Sequence, residues 1–130
     1  MSVLIAISDL FFSSKVDGAL TAAGAVAVRA KRGVDLFAQV RATLPRRVLL
    51  ELSSRAYVAT AVDSIRAIKA DQSTRQVEIV GFCRHTEIEL IRAAREAGAD
   101  RVLTQGELAD LLPALLDESK LPAKSAGPRD

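Results

Sequence analysis

Three side chains capable of chemistry, Asp9, Glu51 and Cys83, each stand at or just beyond the end of a short β-branched run. Carboxylate oxygens are ligands that Mg²⁺ prefers, and an aspartate or glutamate can also accept a phosphoryl group. A cysteine beside an arginine, as Cys83 is beside Arg84, can form a reactive thiolate. The sequence therefore raises metal binding, phosphoryl transfer and thiol chemistry as candidates.

Reactive side chains of other kinds are scarce. Cys83 is the only cysteine, which excludes an intrachain disulfide and a cysteine-based metal cage, and a buried, inert thiol is its commoner role. His85 is the only histidine and no partner carboxylate is evident, so a plain loop histidine is the simpler interpretation. Ser13 and Ser14 could bind a phosphate at a helix N-terminus, as flavodoxins bind FMN, but helix caps are the commoner role of such serines.

The composition is that of a globular domain. Of the 130 residues, 49% are hydrophobic and 26% are charged, which is typical of a folded chain. The formal net charge is only +2, and no basic stripe with interleaved aromatic residues is present, so nothing favours nucleic-acid binding. The first apolar run is too short for a signal peptide or a membrane span, which predicts a cytoplasmic location and no membrane partner.

Two kinds of apolar pattern alternate along the chain. Short β-branched runs are typical of strands, and the stretches between them carry apolar residues at helical spacing. In the clearest helix, Thr86 and Glu89 match a capping box and Gly98 suits the C-terminus. In the third helix, Val58 is predicted to lie on the apolar face. The predicted strands are 3–8, 25–30, 47–52, 77–82 and 101–104, and the predicted helices are 13–23, 33–43, 55–70, 86–97 and one that starts after a second box formed by Thr104 and Glu107.

Five successive βα units predict an α/β fold. We expect an open, doubly wound, five-stranded parallel sheet between two layers of helices, as in flavodoxin-like proteins. A closed βα barrel needs about 250 residues and does not fit this length. We predict one domain over residues 1–118, followed by a flexible C-terminal tail over 119–130, because the apolar pattern does not extend into that tail.

The expected site lies at one edge of this sheet. Ligands of open parallel sheets bind beyond the carboxyl ends of the strands, where the strand order reverses. The polar residues predicted at that edge should therefore converge. They are Ser8 and Asp9 after the first strand, Glu51, Ser53 and Ser54 after the third, Cys83, Arg84 and His85 after the fourth, and Thr104 and Gln105 after the fifth.

Two stretches resemble a known family. The sequence SIRAIKADQSTRQVEIVGF at 64–82 is similar to a helix–loop–strand of two-component response-regulator receiver domains (CheY-like), and AAREAGADRVLT at 93–104 resembles the segment that follows it. The order and length of the elements match from about residue 3 to residue 116, nearly the whole chain. The resemblance implies the receiver-type (βα)₅ fold and a role in phosphorelay signalling.

The resemblance also implies where a phosphorylation site would stand. Receiver domains similar to this chain usually carry an acidic pair after the first strand, a phosphoacceptor aspartate ending the third, a serine or threonine ending the fourth and a lysine ending the fifth. The acidic pair falls on Ser8 and Asp9, and the phosphoacceptor falls on Glu51. The hydroxyl switch position falls on Cys83, or on a neighbouring residue if the loop shifts, and the lysine switch position falls on Gln105.

These departures weaken phosphate chemistry. Ser8 removes an acid from the Mg²⁺ pocket, Glu51 is longer than aspartate by about 1.5 Å, and Gln105 brings no charge to the developing phosphate. We therefore predict no cofactor, with Asp9 and Glu51 as the only weak Mg²⁺ ligands. Glu51 is then a mimic of the phosphorylated acceptor, a carboxylate clamped by Arg84, or a solvated carboxylate tolerated at a strand end.

The predicted function is that of a degenerate receiver (a pseudo-receiver): a non-enzymatic signalling module that binds a histidine kinase or a downstream effector protein, without direct nucleic-acid contact. Its output would come through the 86–112 face, which would also serve a homodimer. Two alternatives stay open: a Mg²⁺-dependent phosphoacceptor using Glu51 or Asp9, and a small flavodoxin-like ligand-binding domain. The polar residues predicted for the 86–112 face are Glu89, Arg92, Glu96, Arg101 and Glu107.

Overall fold

Five strands and five helices alternate along the chain in a computed structural model that describes residues 2–112 and 114. The strands are Ser2–Ala6 (β1), Val26–Arg29 (β2), Arg47–Glu51 (β3), Glu78–Cys83 (β4) and Arg101–Thr104 (β5). The helices are Leu10–Ala22 (α1), Leu36–Thr43 (α2), Ala61–Ala70 (α3), Ile88–Ala97 (α4) and Gln105–Leu111 (α5). The predicted boundary at residue 118 and the tail over 119–130 lie outside the described residues.

All the strands pair in parallel in the order β2-β1-β3-β4-β5. Successive side chains of a strand point to opposite faces, so β3 sends Val48 and Leu50 into one apolar cluster and Leu49 into another. Side chains of α2, α3 and α4 complete the first cluster, and those of α1 and α5 complete the second. The predicted open, doubly wound, five-stranded parallel sheet with three layers is therefore confirmed.

Helices α1 to α4 all begin at residues other than those predicted, and the difference is largest for α3. Helix α3 starts at Ala61 instead of residue 55, because Thr60 caps it by accepting a hydrogen bond from the Asp63 N–H. Val58 consequently lies in the preceding loop with 73% of its surface exposed, and its predicted place on an apolar helix face was wrong.

Helix α4 starts at Ile88, and the predicted capping box of Thr86 and Glu89 does not form. Glu87 occupies the cap position instead, and its carboxylate accepts a hydrogen bond from the Arg84 N–H at 3.2 Å. The second predicted box is confirmed: Thr104 caps α5, and Glu107 bonds back to the Thr104 N–H at 2.8 Å.

A buried ionic cluster lies at the amino ends of the three strands β3, β4 and β5. Arg47, Glu78 and Arg101 are only 0%, 4% and 7% exposed. The Arg47 guanidinium pairs with Glu78, and Arg101 Nε lies 3.9 Å from the other oxygen of the same carboxylate. Arg101 was predicted to lie on an exposed interaction face. That prediction was wrong, because its side chain is buried beside Glu78.

Gly98 ends α4 in a conformation that few other residues adopt. Its φ is 112°, and a Cβ at this position would lie 2.9 Å from Lys69 Cγ. We expect Gly98→Ala to lower the free energy of unfolding by about 1–2 kcal/mol. The matched control is Gly18→Ala within α1, where a Cβ meets nothing within 4 Å and the free energy of unfolding should rise by about 0.5–1 kcal/mol. Urea unfolding measures both, and equal stability of the two variants would contradict this expectation.

Candidate functional site

Glu51 stands at the carboxyl end of the central strand β3. Its register partner on β4 is Phe82, and the preceding Leu50 pairs with Ala6 at the end of β1. The β1–α1 and β3–α3 loops therefore leave the sheet side by side at this point. The Glu51 side chain is half-buried between them.

Ser8 holds the Glu51 carboxylate from the β1–α1 loop. The Ser8 backbone N–H and its hydroxyl both donate to Glu51 Oε1, at 2.8 Å and 2.9 Å. Ser54 extends the network by donating its hydroxyl to Ser8 Oγ at 3.2 Å while it accepts the Ala56 N–H at 3.1 Å. A shorter aspartate at position 51 would leave its oxygen about 1.5 Å short of Ser8. The residues found at positions 8 and 51 thus complement one another.

Asp9 serves helix α1. Its Oδ1 accepts the Phe12 N–H at 3.1 Å, which makes it the N-cap of the helix, and its side chain is exposed. This cap explains why α1 begins at Leu10, before the predicted residue 13. Ser13 and Ser14 therefore lie inside the helix, and Ser14 accepts a hydrogen bond from Arg29 at 3.2 Å. Their predicted alternatives, as a phosphate site or as caps at the helix start, were both wrong.

The cation nearest to this network was missed by the sequence pattern. Arg32 follows the edge strand β2, and its Nη1 lies 3.3 Å from the Ser8 carbonyl oxygen. The adjacent Gly33 N–H donates to the Ala56 carbonyl at 2.6 Å, so the β2–α2 and β3–α3 loops are joined. The basic pair Lys31 and Arg32 directly after a strand was the available signal.

Arg84 does not clamp Glu51 within the chain. It is exposed on the β4–α4 loop, and among the described residues no ion pair joins it to Asp9 or Glu51. Its backbone N–H is bonded to Glu87, which orients this loop toward α4. His85 beside it is exposed as well.

Cys83 and Gln105 reach the same edge of the sheet, and no hydrogen bond among the described residues joins either of them to Glu51. Cys83 pairs in register with Thr104, the cap of α5, and Gln105 is the exposed first residue of that helix. Burial, followed by the nearby Glu87 carboxylate, raises the pKa of the Cys83 thiol above its ordinary value. The thiol therefore stays protonated near neutral pH, contrary to a reactive thiolate.

The two carboxylates predicted as weak Mg²⁺ ligands are each partly engaged by hydrogen bonds. Glu51 Oε1 already accepts two hydrogen bonds, and Asp9 Oδ1 caps a helix. Across residues 2–112 and 114, no group of three or more His, Cys, Asp and Glu side chains is arranged to hold a metal ion. Mg²⁺ needs near-octahedral oxygen ligands, and this pair offers it at most the two carboxylate oxygens, Glu51 Oε2 and Asp9 Oδ2, that accept no hydrogen bond from the described residues.

Tyr57 reports on the charges around Glu51. Burial raises the pKa of Tyr57 above its ordinary value of 10.0, the Arg32 guanidinium lowers it, and the Glu51 carboxylate raises it. A raised pKa in the folded state means that the neutral phenol is favoured, so this contribution to stability is present below pH 10 and is lost as the pH rises through the raised pKa. Tyr57 is the only tyrosine, so alkaline absorbance titration observes it alone.

The charge effects on Tyr57 can be separated by substitution. We expect Arg32→Gln to raise the Tyr57 pKa further and Glu51→Gln to lower it. Glu89→Gln is the matched control, because Glu89 lies on the exposed surface of α4. A Tyr57 pKa that responds to none of the three changes would contradict the proximity of these groups.

The outer surface of α4 carries a shallow groove. It is lined by Ile88, Ile91, Arg92, Arg95 and Glu96, with Arg92 and Glu89 paired at 3.1 Å. Four of the five polar residues predicted for the 86–112 face, those at 89, 92, 96 and 107, are exposed.

No helix within the described residues is long and apolar enough to cross a membrane.

Solved structures similar to this chain include response regulators and receiver domains. The chain superposes on a response regulator from Chloroflexus aurantiacus with a TM-score of 0.76 and 18% sequence identity, covering 90% of this chain and 94% of that one. The receiver domain of NtrX from Brucella abortus gives a TM-score of 0.73 at 18% identity, covering 92% and 97%. The receiver domain of a sensor histidine kinase from Pseudomonas aeruginosa, which has a magnesium ion in its active-site cleft, gives 0.70 at 15% identity, covering 87% and 94%.

The fold is therefore that of response-regulator receiver domains. Compared by sequence, the chain matches no family model and no curated protein. At this level of identity the likeness defines the fold, and function has to be inferred from the site itself.

Proposed function

We propose that the protein is a receiver-like signalling module that works without phosphorylation, by binding a protein partner such as a histidine kinase or a downstream effector. The observation that carries this proposal is the pair of hydrogen bonds from Ser8 to Glu51 Oε1, at 2.8 Å and 2.9 Å. A receiver needs its acceptor carboxylate aimed at a phosphodonor and next to Mg²⁺. Here the carboxylate at that position is used to join two loops.

The other parts of the pocket support the same interpretation. Asp9 is occupied as a helix cap, and Gln105 lies exposed and uncharged at the start of α5. No cation from position 105 is available to stabilise charge on a transferred phosphoryl group. Glu51 is then a fixed negative charge where other receivers acquire one by phosphorylation. A cytoplasmic location, as predicted from the sequence, fits this role.

The 86–112 face is the proposed surface for a kinase or effector. The groove on α4 combines the apolar Ile88 and Ile91 with charged Arg92, Arg95 and Glu96. An apolar strip with a charged border is typical of surfaces that bind other proteins. We therefore assign partner binding, rather than catalysis, to this face.

The proposal is tested by exposure to acetyl phosphate and Mg²⁺, followed by intact-protein mass spectrometry. We expect no phosphoryl adduct under conditions that label a receiver domain with a complete acidic pocket, which is the control. An adduct that maps to Glu51 or Asp9 and is removed by hydroxylamine would overturn the proposal and favour the active phosphoacceptor.

A further inference from the structure

Among residues 2–112 and 114, the most exposed large apolar side chains all follow strands that end at the edge where Glu51 stands. Phe11 is 93% exposed and Leu10 70% at the start of α1, Val58 is 73% exposed in the β3–α3 loop, and Ile88 is 63% exposed at the start of α4. Each follows the carboxyl end of a strand, so the four lie at one edge of the sheet. We name these four side chains the apolar rim. Single exposed apolar residues are normal, but several at one edge mark an interaction surface.

Two opposite charges on the same edge form no ion pair among the described residues. Glu51 Oε1 accepts both bonds from Ser8, whereas no hydrogen bond from the described residues reaches Oε2. The described part of the chain also forms no ion pair with Glu51 or with the exposed side chain of Arg84. The edge that carries the apolar rim therefore also carries a carboxylate and a guanidinium that form no ion pair with the described part of the chain.

We propose that the apolar rim is an interface between two copies of this chain, in which Arg84 of the partner subunit pairs with Glu51 across a two-fold axis. A two-fold interface brings one surface against itself, so the surface must be complementary to itself. Apolar side chains bordered by one carboxylate and one guanidinium meet that condition, because the axis forms two identical ion pairs. Aromatic residues and arginine are also the types enriched at the centres of interfaces.

This interface rests on the proposed function, since a Glu51 engaged with phosphate and Mg²⁺ would not be open to a second copy. It also supplies the charge partner of Glu51 that was expected from Arg84 within one chain. The interface shares Ile88 with the 86–112 face but differs from a homodimer through that face, whose groove continues along α4 to Arg92, Arg95 and Glu96 and does not include Glu51.

Sedimentation over a range of concentrations tests the apolar part. We expect the wild type to dimerise reversibly and Phe11→Ala to raise the dimer dissociation constant at least about tenfold, as truncation of an aromatic anchor does. Val26→Ala is the matched control, because Val26 is 60% exposed on the edge strand β2 and outside the apolar rim. It should leave the dissociation constant unchanged.

The ion pairs are tested by mixing two charge variants. Glu51→Lys and Arg84→Glu should each be monomeric, because each places like charges together at both pairs. An equimolar mixture should form a heterodimer, since the lysine at position 51 of one chain then meets the glutamate at position 84 of the other. Arg75→Glu is the control: Arg75 is exposed in the loop before β4, at the opposite edge of the sheet, and the variant should dimerise normally.

Circular dichroism checks that each variant is folded. Glu51→Lys loses its hydrogen bonds to Ser8 and could fail to fold. In that case Arg84→Glu and Phe11→Ala still test the dimer interface, since both of the original side chains are exposed. A wild type that stays monomeric would overturn the apolar-rim interface. So would a dimer whose dissociation constant is unchanged by both of these variants but raised by Arg92→Glu. Neither result touches the proposed function, which is decided by the phosphoryl adduct alone.

Discussion

The triple variant Ser8→Asp, Glu51→Asp, Gln105→Lys is expected to gain a saturable response to beryllofluoride and Mg²⁺, with Mg²⁺ affinity raised at least about tenfold over the wild type. The aspartate at position 8 restores a second acid beside Asp9. The shorter side chain at position 51 can no longer reach across to residue 8, so its carboxylate is released toward the pocket. The lysine at position 105 restores a cation for the bound anion.

Two single variants are the controls for this gain. Gln105→Lys alone adds the cation without releasing Glu51, and Glu51→Asp alone releases the carboxylate without completing the metal ligands. Neither single variant should show saturable chemical-shift changes when it is titrated with beryllofluoride and Mg²⁺. A silent triple variant with native circular dichroism would mean that these three positions do not account for the loss of phosphate chemistry.

Glu78→Gln is expected to lower the free energy of unfolding by about 3–5 kcal/mol. Glu78 is 4% exposed between Arg47 and Arg101, which are 0% and 7% exposed. Glutamine keeps the size of the side chain but removes the negative charge, so two guanidinium groups remain buried without the carboxylate that pairs with them. Denaturant unfolding followed by circular dichroism measures the change.

The matched control for this loss is Glu89→Gln, which removes the same charge at an exposed site. Glu89 pairs with Arg92 at 3.1 Å on the surface of α4, where an ion pair contributes at most about 1 kcal/mol. A similar small change for both variants would show that the buried cluster contributes no more than a surface pair.

The fold could be predicted because local and global signals agree. The strand β3 has a buried run that only a sheet covered on both faces accommodates, and α3 carries Ile65 and Ile68 at helical spacing on its buried side. The first residues of α1 and α4 were harder to predict from the sequence. They depend on which of several polar residues stands at the cap position, and Asp9 and Glu87 occupy it, although only the Asp9 side chain bonds to its helix.

The site could be predicted as an edge of the sheet but not as a set of contacts. Parallel strands bring Ser8 and Glu51 to the same edge, which follows from the sequence alone. Their two hydrogen bonds depend on the conformation of the β1–α1 loop, and the presence of Arg32 depends on the β2–α2 loop. The burial of Arg101 depends on a carboxylate from a neighbouring strand. Apart from the basic pair at 31 and 32, these long-range pairings leave no local pattern in the sequence.

An NMR titration of the wild-type protein with beryllofluoride and Mg²⁺, observing the Ser8 backbone amide, tests directly whether this protein works without phosphorylation. Because that N–H is bonded to Glu51 Oε1 at 2.8 Å, its resonance reports whether the carboxylate stays with Ser8 or turns to bind a metal and a phosphate analogue. We expect the Ser8 resonance to stay in place throughout the titration. A saturable shift of the Ser8 amide, accompanied by shifts at Glu51 and Gln105, would show that the pocket binds the phosphate analogue and would contradict signalling without phosphorylation.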